Sequence, residues 1–311
     1  MFEEPNFFWK NFRLGTELQS SGTFIYNALY FLDKLEYLRF EEDIFEFLYN
    51  TSQGIERIQK IAIILLDHND DTNQEKFEKD LITHNHINLH ERIIAKKELN
   101  LSRLHKRFLD LLSKFYNSYR YNRFNKSSVY HKNFDKYEFL NFVSSELKIE
   151  IDPRYDCLEN TIQVKKFLGK CVGKIVCKLY ELIRNRAYDI GTFTYEIRYQ
   201  SKAFKIFTKK QYTFESENNF KKEIIVSLIN NSLKDDFTDY IKTLKSLNFE
   251  NHNSSYYIKY LLNDIEDISV LSEYEYLLYD KQVPKTRNEE IERIGEAQYL
   301  NNDWDGMDEE E

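Results

Sequence analysis

The chain has 311 residues, of which 41% are hydrophobic and 31% charged, and a formal net charge of −8. Only 8 Gly and 3 Pro punctuate it, which argues against a turn-rich sandwich and for long helices. Its longest apolar run, Ile61 to Leu66, falls far short of the roughly 20 residues of a membrane span, so no membrane association is expected.

The start "MFEEPNFFWK" is acidic and aromatic, without the basic and apolar regions of a signal peptide. Cys157, Cys171 and Cys177 are odd in number and form no C-x-x-C pair, which points to a reduced, cytoplasmic compartment. A length above that of a usual single core predicts two packed parts. Pro153 in "DPRYD" is the natural boundary, because the residue before proline is pushed out of helical geometry. The expected domains are therefore 1–150 and 151–300, with an acidic, disordered tail at 301–311.

Charge is unevenly spread. Residues 96–132 hold ten Lys/Arg against two Asp/Glu, and residues 165–210 hold twelve against three, each between acidic flanks. Basic blocks of this kind either bind a polyanion or pair with the chain's own acidic segments.

In chain order, "SGTFIYNALYFLDKLEYLRF" spaces its apolar residues by three and four, as an amphipathic helix does. A second helical region from Glu41 carries Ile55, Ile58, Ala62 and Leu65 inward, and Gly54 marks a close helix contact. "HNDDTNQEK" reads as a loop. Further helices are expected over Lys79–Lys97 and from about Leu101 to Arg120, the latter with Leu104, Phe108, Leu111, Leu112 and Phe115 inward. In "TIQVKKFLGKCVGKIVCKLYELIRNRAYD", Lys166, Lys170, Lys174 and Lys178 recur every four residues as one cationic stripe, and Gly169 and Gly173 share a face that a neighbour could approach. Phe193, Tyr195, Ile197 and Tyr199 alternate as a strand would, so 192–214 is either helix or a small β-hairpin. Thr286 and Glu289 could form a capping box for a last helix. The fold class expected is all-α.

Two clusters could carry chemistry. In "THNHINLH", His86 and His90 lie four apart and share a helical face. Metal binding would need further ligands, whereas proton transfer suits an imidazole near neutral pH, and capping or surface histidines are the plain alternative. In "YRYNRFN", Arg120 and Arg123 are flanked by Tyr119, Tyr121 and Phe124. They could clamp a phosphate while the rings stack on bases, or pair with acidic residues of the first segment. No Walker loop, dinucleotide glycine fingerprint or G-x-S-x-G elbow is present, and no cofactor is expected.

The order "LYNTSQGIERIQKIAIIL", "THNHINLHERI", "FLDLLSKFYNSYRYNRF" resembles the HEPN-like superfamily of helical bundles. More closely, it resembles HEPN-related proteins of prokaryotic defence and toxin–antitoxin loci. The resemblance covers roughly residues 20–130. It implies a "GIER-x-x-K" helix packed on a helix introduced by a "T-H-x-x" turn, a homodimer, and metal-independent endoribonuclease activity. In active members an Arg is followed after four to six residues by His. The histidine takes or gives a proton for 2′-hydroxyl attack, and the arginine steadies the phosphate.

This chain departs from that pattern. "RNRAYD" places Arg184 and Asn185 suitably but has Asp189 where His would stand. If the chain acts on RNA, the resemblance implies Arg120 and Arg123 as phosphate-binding groups, His84 or His86 in proton transfer, and the lysine stripe with Arg184 along the RNA backbone. The other expectation is a catalytically silent helical dimer, antitoxin-like or a subunit of a defence complex, whose partner is a protein from the same defence locus.

Overall fold

The computed structural model describes residues 4–119, 121, 124–126, 134–230, 236–263, 268–279, 283–284, 286–292 and 294. The chain divides into two compact units, Met1–Phe214 and Glu215–Glu311. The division falls at 214 and not at 150. The proline turn near Asp152 is only a bend, and the chain returns from it into the first core.

In the first unit a short helix α1 (Pro5–Phe8) and a π-helical turn (Trp9–Arg13) lead into α2 (Leu14–Lys34). β1 (Tyr37–Leu38) precedes the central helix α3 (Glu41–Asp67). Then come α4 (Gln74–Leu81), α5 (His86–Ile94), α6 (Arg103–Lys114) with a π-helical turn (Phe115–Tyr119), and α7 (Phe134–Leu147). β2 (Leu158–Glu159) pairs antiparallel with β1, and α8 (Ile162–Asp189) is followed by a π-helical turn at Phe204–Thr208. The fold class is all-α, and among the described residues this pair of two-residue strands is the only sheet.

α3 is buried almost all round from Ile55 to Leu65, as expected of a helix enclosed by neighbours. α2, α5 and α8 pack on it. Ile25 and Leu32 of α2, Phe47 and Ile58 of α3, and Val172 and Ile175 of α8 are at most 2% exposed. Each such side chain contributes about 1.5–3 kcal/mol on burial.

Two glycine faces explain how tightly these helices approach. A Cβ on Gly54 would collide with the Ile25 side chain and sit 3.0 Å from the Ser21 carbonyl oxygen. The Ser21 hydroxyl donates to the Gly54 carbonyl at 2.7 Å. On α8, Gly169 and Gly173 form a bed for Tyr212: a side chain at Gly169 would strike its carbonyl, and one at Gly173 its ring.

Three local expectations are corrected. The helix expected over Lys79–Lys97 is broken at 82–85, where Asn85 caps α5 by accepting from Ile87 N and Asn88 N at 3.1 and 3.0 Å. No strand forms at 192–214. There the chain makes turns and one π-helical turn, tied down by Thr194 donating to the Lys10 carbonyl at 2.5 Å and by Phe193 N donating to Asn11 Oδ1 at 2.9 Å. Thr286 does precede the last helix, but its hydroxyl bonds Glu290 at 2.9 Å rather than Glu289.

The second unit comprises α9 (Glu215–Ile229), α10 (Asp236–Thr243), α11 (Ser254–Asn263), α12 (Ile268–Leu278) and α13 (Arg287–Glu292). Glu273 organises part of it, accepting from Glu250 N, Asn251 N and the Tyr257 hydroxyl at 2.9, 3.0 and 2.7 Å. The acidic stretch 301–311 lies outside the described residues. Among the described residues no helix is long and apolar enough to cross a membrane.

Candidate functional site

The mid-section of α3 presents Gln53, Glu56 and Lys60 one turn apart, toward the 82–85 turn and the π-helical turn after α6. Glu56 is 6% exposed, and a buried carboxylate is retained only where it is paired. Its two oxygens are both engaged. Oε1 accepts from Lys60 Nζ at 2.7 Å, in the Glu-to-Lys i,i+4 order that helices favour. Oε2 lies 2.9 Å from His84 Nδ1.

His84 is the outward member, with 43% of its side chain exposed. Its ring packs on Tyr116 with centroids 4.4 Å apart, and Tyr116 in turn receives a 2.5 Å hydrogen bond from Gln53 Nε2 and stacks on Tyr49. Tyr116 reaches this position because α6 continues into π-helical geometry, a distortion frequent at functional sites. His84 therefore has one nitrogen fixed by a buried carboxylate, one aromatic wall and an open side. That is the arrangement that orients an imidazole for proton transfer.

His86 has a different place. As the first residue of α5 it turns inward and is fully buried, with Nδ1 at 3.1 Å from Gln59 Oε1 and its carbonyl accepting from Gln59 Nε2 at 2.9 Å. Desolvation pushes its pKa down to about 4, against the smaller pull of Glu56. His86 is thus a neutral core residue and not a group that meets substrate. His90, one turn on, is also buried and its pKa is lowered by desolvation and then by Lys106. Among the described residues no group of three or more His, Cys, Asp or Glu is placed to hold a metal.

Arg120 and Arg123 lie outside the described residues; the segment that carries them follows directly on Tyr119. Arg57, adjacent to Glu56 in sequence, faces away from the cluster, pairing with Glu17 and lying over the Phe24 ring. Lys166, Lys170, Lys174 and Lys178 occupy the outer side of α8, where Lys170, Lys174 and Arg184 are exposed. Lys178 is engaged by Glu181 at 3.2 Å. α6 packs beside α8, so the two basic blocks adjoin: Lys174 is close enough to His105 to help depress its pKa, after desolvation.

The spacing of the histidines does not distinguish His84 from His86. The partners do: Glu56 and Lys60 read as ordinary surface charges in sequence, and only the fold turns them toward the histidine turn. Comparisons with family models, with curated proteins and with solved structures give no match for the chain.

Proposed function

We propose that the chain is a HEPN-like prokaryotic defence or toxin-type effector that acts on RNA, as a metal-independent endoribonuclease or as an RNA binder. The observation that carries the reading is the Glu56–His84 pair at 2.9 Å, with Lys60 closing the same carboxylate. In it His84 moves the proton of the attacking 2′-hydroxyl, Glu56 fixes its tautomer, and Arg120 and Arg123 hold the phosphate. Lys166, Lys170, Lys174, Lys178 and Arg184 line the path of the RNA backbone. A homodimer would set two such sites together.

The test is RNA decay by the purified protein with and without EDTA. His84→Ala and the double substitution Arg120→Ala/Arg123→Ala are each expected to abolish cleavage that EDTA leaves untouched. Unchanged decay in the His84 variant overturns the assignment.

A second reading, a catalytically silent helical dimer or a subunit that binds a protein from the same defence locus, has its own support. Phe8 and Phe12 are about half exposed, at 47% and 48%, and their rings adjoin at 5.0 Å. It expects no cleavage by any variant, and a complex that survives high salt.

A further inference from the structure

At the far end of α3, some ten residues beyond Glu56 and so about 15 Å along the helix axis, lies a cleft of ≈ 440 Å³. It is bounded by the 96–100 segment after α5 and by the last turns of α8. Its size is within the range of about 300–1,000 Å³ typical of small-molecule sites. Three kinds of surface meet in it.

Leu66, Leu99 and Leu182 supply an apolar wall. The amides of Asn100 and Asn185, each able to donate and accept, make no hydrogen bond among the described residues. The charged groups come in both signs. Lys97 has no carboxylate partner among the described residues, and Arg186 uses only Nε internally, donating to the Leu65 carbonyl at 3.0 Å. Glu98 and Asp189 face the same space and are likewise unpaired among the described residues. Glu181, by contrast, is already taken by Lys178 and Lys210 at 3.2 and 3.1 Å.

This lining suits neither an apolar ligand nor a polyanion: the first leaves the charges unmet, and the second meets two free carboxylates. A ligand that needs all three surfaces is a ribonucleotide. Its base has an apolar face and an amide-like edge, its ribose hydroxyls donate to carboxylates, and its phosphate takes an Arg fork and an ammonium.

We propose that this cleft binds a single ribonucleotide, with the base on Leu99 and Leu182 beside Asn100 and Asn185, the ribose diol on Asp189 or Glu98, and the phosphate on Arg186 and Lys97. The site is separate from His84 and the proposal does not rest on the RNA-cleavage reading. A protein that binds nucleotide but cleaves nothing keeps this inference and loses that one.

The test is calorimetric titration of the full chain with the four ribonucleoside 5′-monophosphates, their 2′,3′-dideoxy counterparts and inorganic phosphate. At least one ribonucleotide binds with one-to-one stoichiometry, and its dideoxy form binds at least about tenfold more weakly. Asn185→Trp, which fills the cleft from an exposed position, and Lys97→Glu, on an exposed segment, each weaken binding about tenfold or more. Lys76→Glu, the same charge change on exposed α4, leaves it unchanged. The proposal is overturned if no ribonucleotide binds at millimolar concentration, if both cleft variants bind as the parent does, or if equimolar phosphate displaces the nucleotide.

Discussion

His84 and Glu56, 28 residues apart in the chain, meet through a 2.9 Å contact between Nδ1 and Oε2. The same carboxylate is held on its other oxygen by Lys60 at 2.7 Å. The pair joins a group with solvent access to one without, so structural and chemical roles can be separated by substitution.

Glu56→Ala removes the buried acceptor of both bonds and strands a partly buried ammonium. It is expected to lower stability by about 2–4 kcal/mol in urea unfolding. His84→Ala, at the half-exposed end, is expected to cost less than about 1 kcal/mol and, if the proposed RNA-cleavage reading holds, to remove cleavage. Equal losses in the two variants would make the pair purely structural.

His86 sets an acid limit. Its pKa in the folded chain is about 4, against an ordinary 6.5. Between these values the unfolded chain takes up the proton and the folded chain does not, so unfolding is favoured as pH falls. The contribution is fully present above pH 6.5 and gone below pH 4, a loss of about 3 kcal/mol. His90 adds to it in the same direction. Urea midpoints measured from pH 7 to pH 4 should fall steeply in the parent chain and less so in His86→Gln.

The lysine stripe is testable through salt. If it tracks an RNA backbone, Lys170→Glu with Lys174→Glu should flatten the dependence of log affinity on log salt by about 1.4 for single-stranded RNA. A filter-binding series from low to physiological salt reads this slope directly. An unchanged slope would leave the stripe as ordinary solvated surface.

Tyr212 on its glycine bed gives a packing test. Gly173→Ala should cost about 1–3 kcal/mol because a methyl group has no room under the ring. Tyr212→Ala opens that space, so the double variant should be distinctly more stable than the sum of the single losses allows. Additive losses in thermal or urea unfolding would show that the ring does not decide the approach.

Much of this architecture is legible in the residues. The isoleucine stripe of α3 and the close approach at Gly54 follow from periodicity and size. The Gly169/Gly173 face shows that something packs closely there, but only the fold shows that it is Tyr212 from the same chain. The alternation in 192–214 imitates a strand, and fails because the Thr194 hydroxyl and Phe193 N are drawn to the Lys10 carbonyl and Asn11 Oδ1 respectively. His84 and His86 are two residues apart, yet one is half-exposed and the other fully buried, a consequence of the Asn85 cap that spacing alone does not convey. Pro153 does stand in a turn, but the burial of α8 keeps the chain beyond it in the first core.

Asn160 donates to the Leu32 and Leu35 carbonyls at 2.7 and 2.9 Å, 128 and 125 residues back along the chain, and Thr194 reaches 184 residues back to Lys10. During synthesis, then, the α2–α3 pair leaves the ribosome long before its last backbone groups find partners. The first unit becomes complete only once residues up to Phe214 have emerged, and a late closure of distant ends is its expected slow step. Shortening the chain to end at the Pro153 turn would yield helices without a closed core, prone to capture by one another.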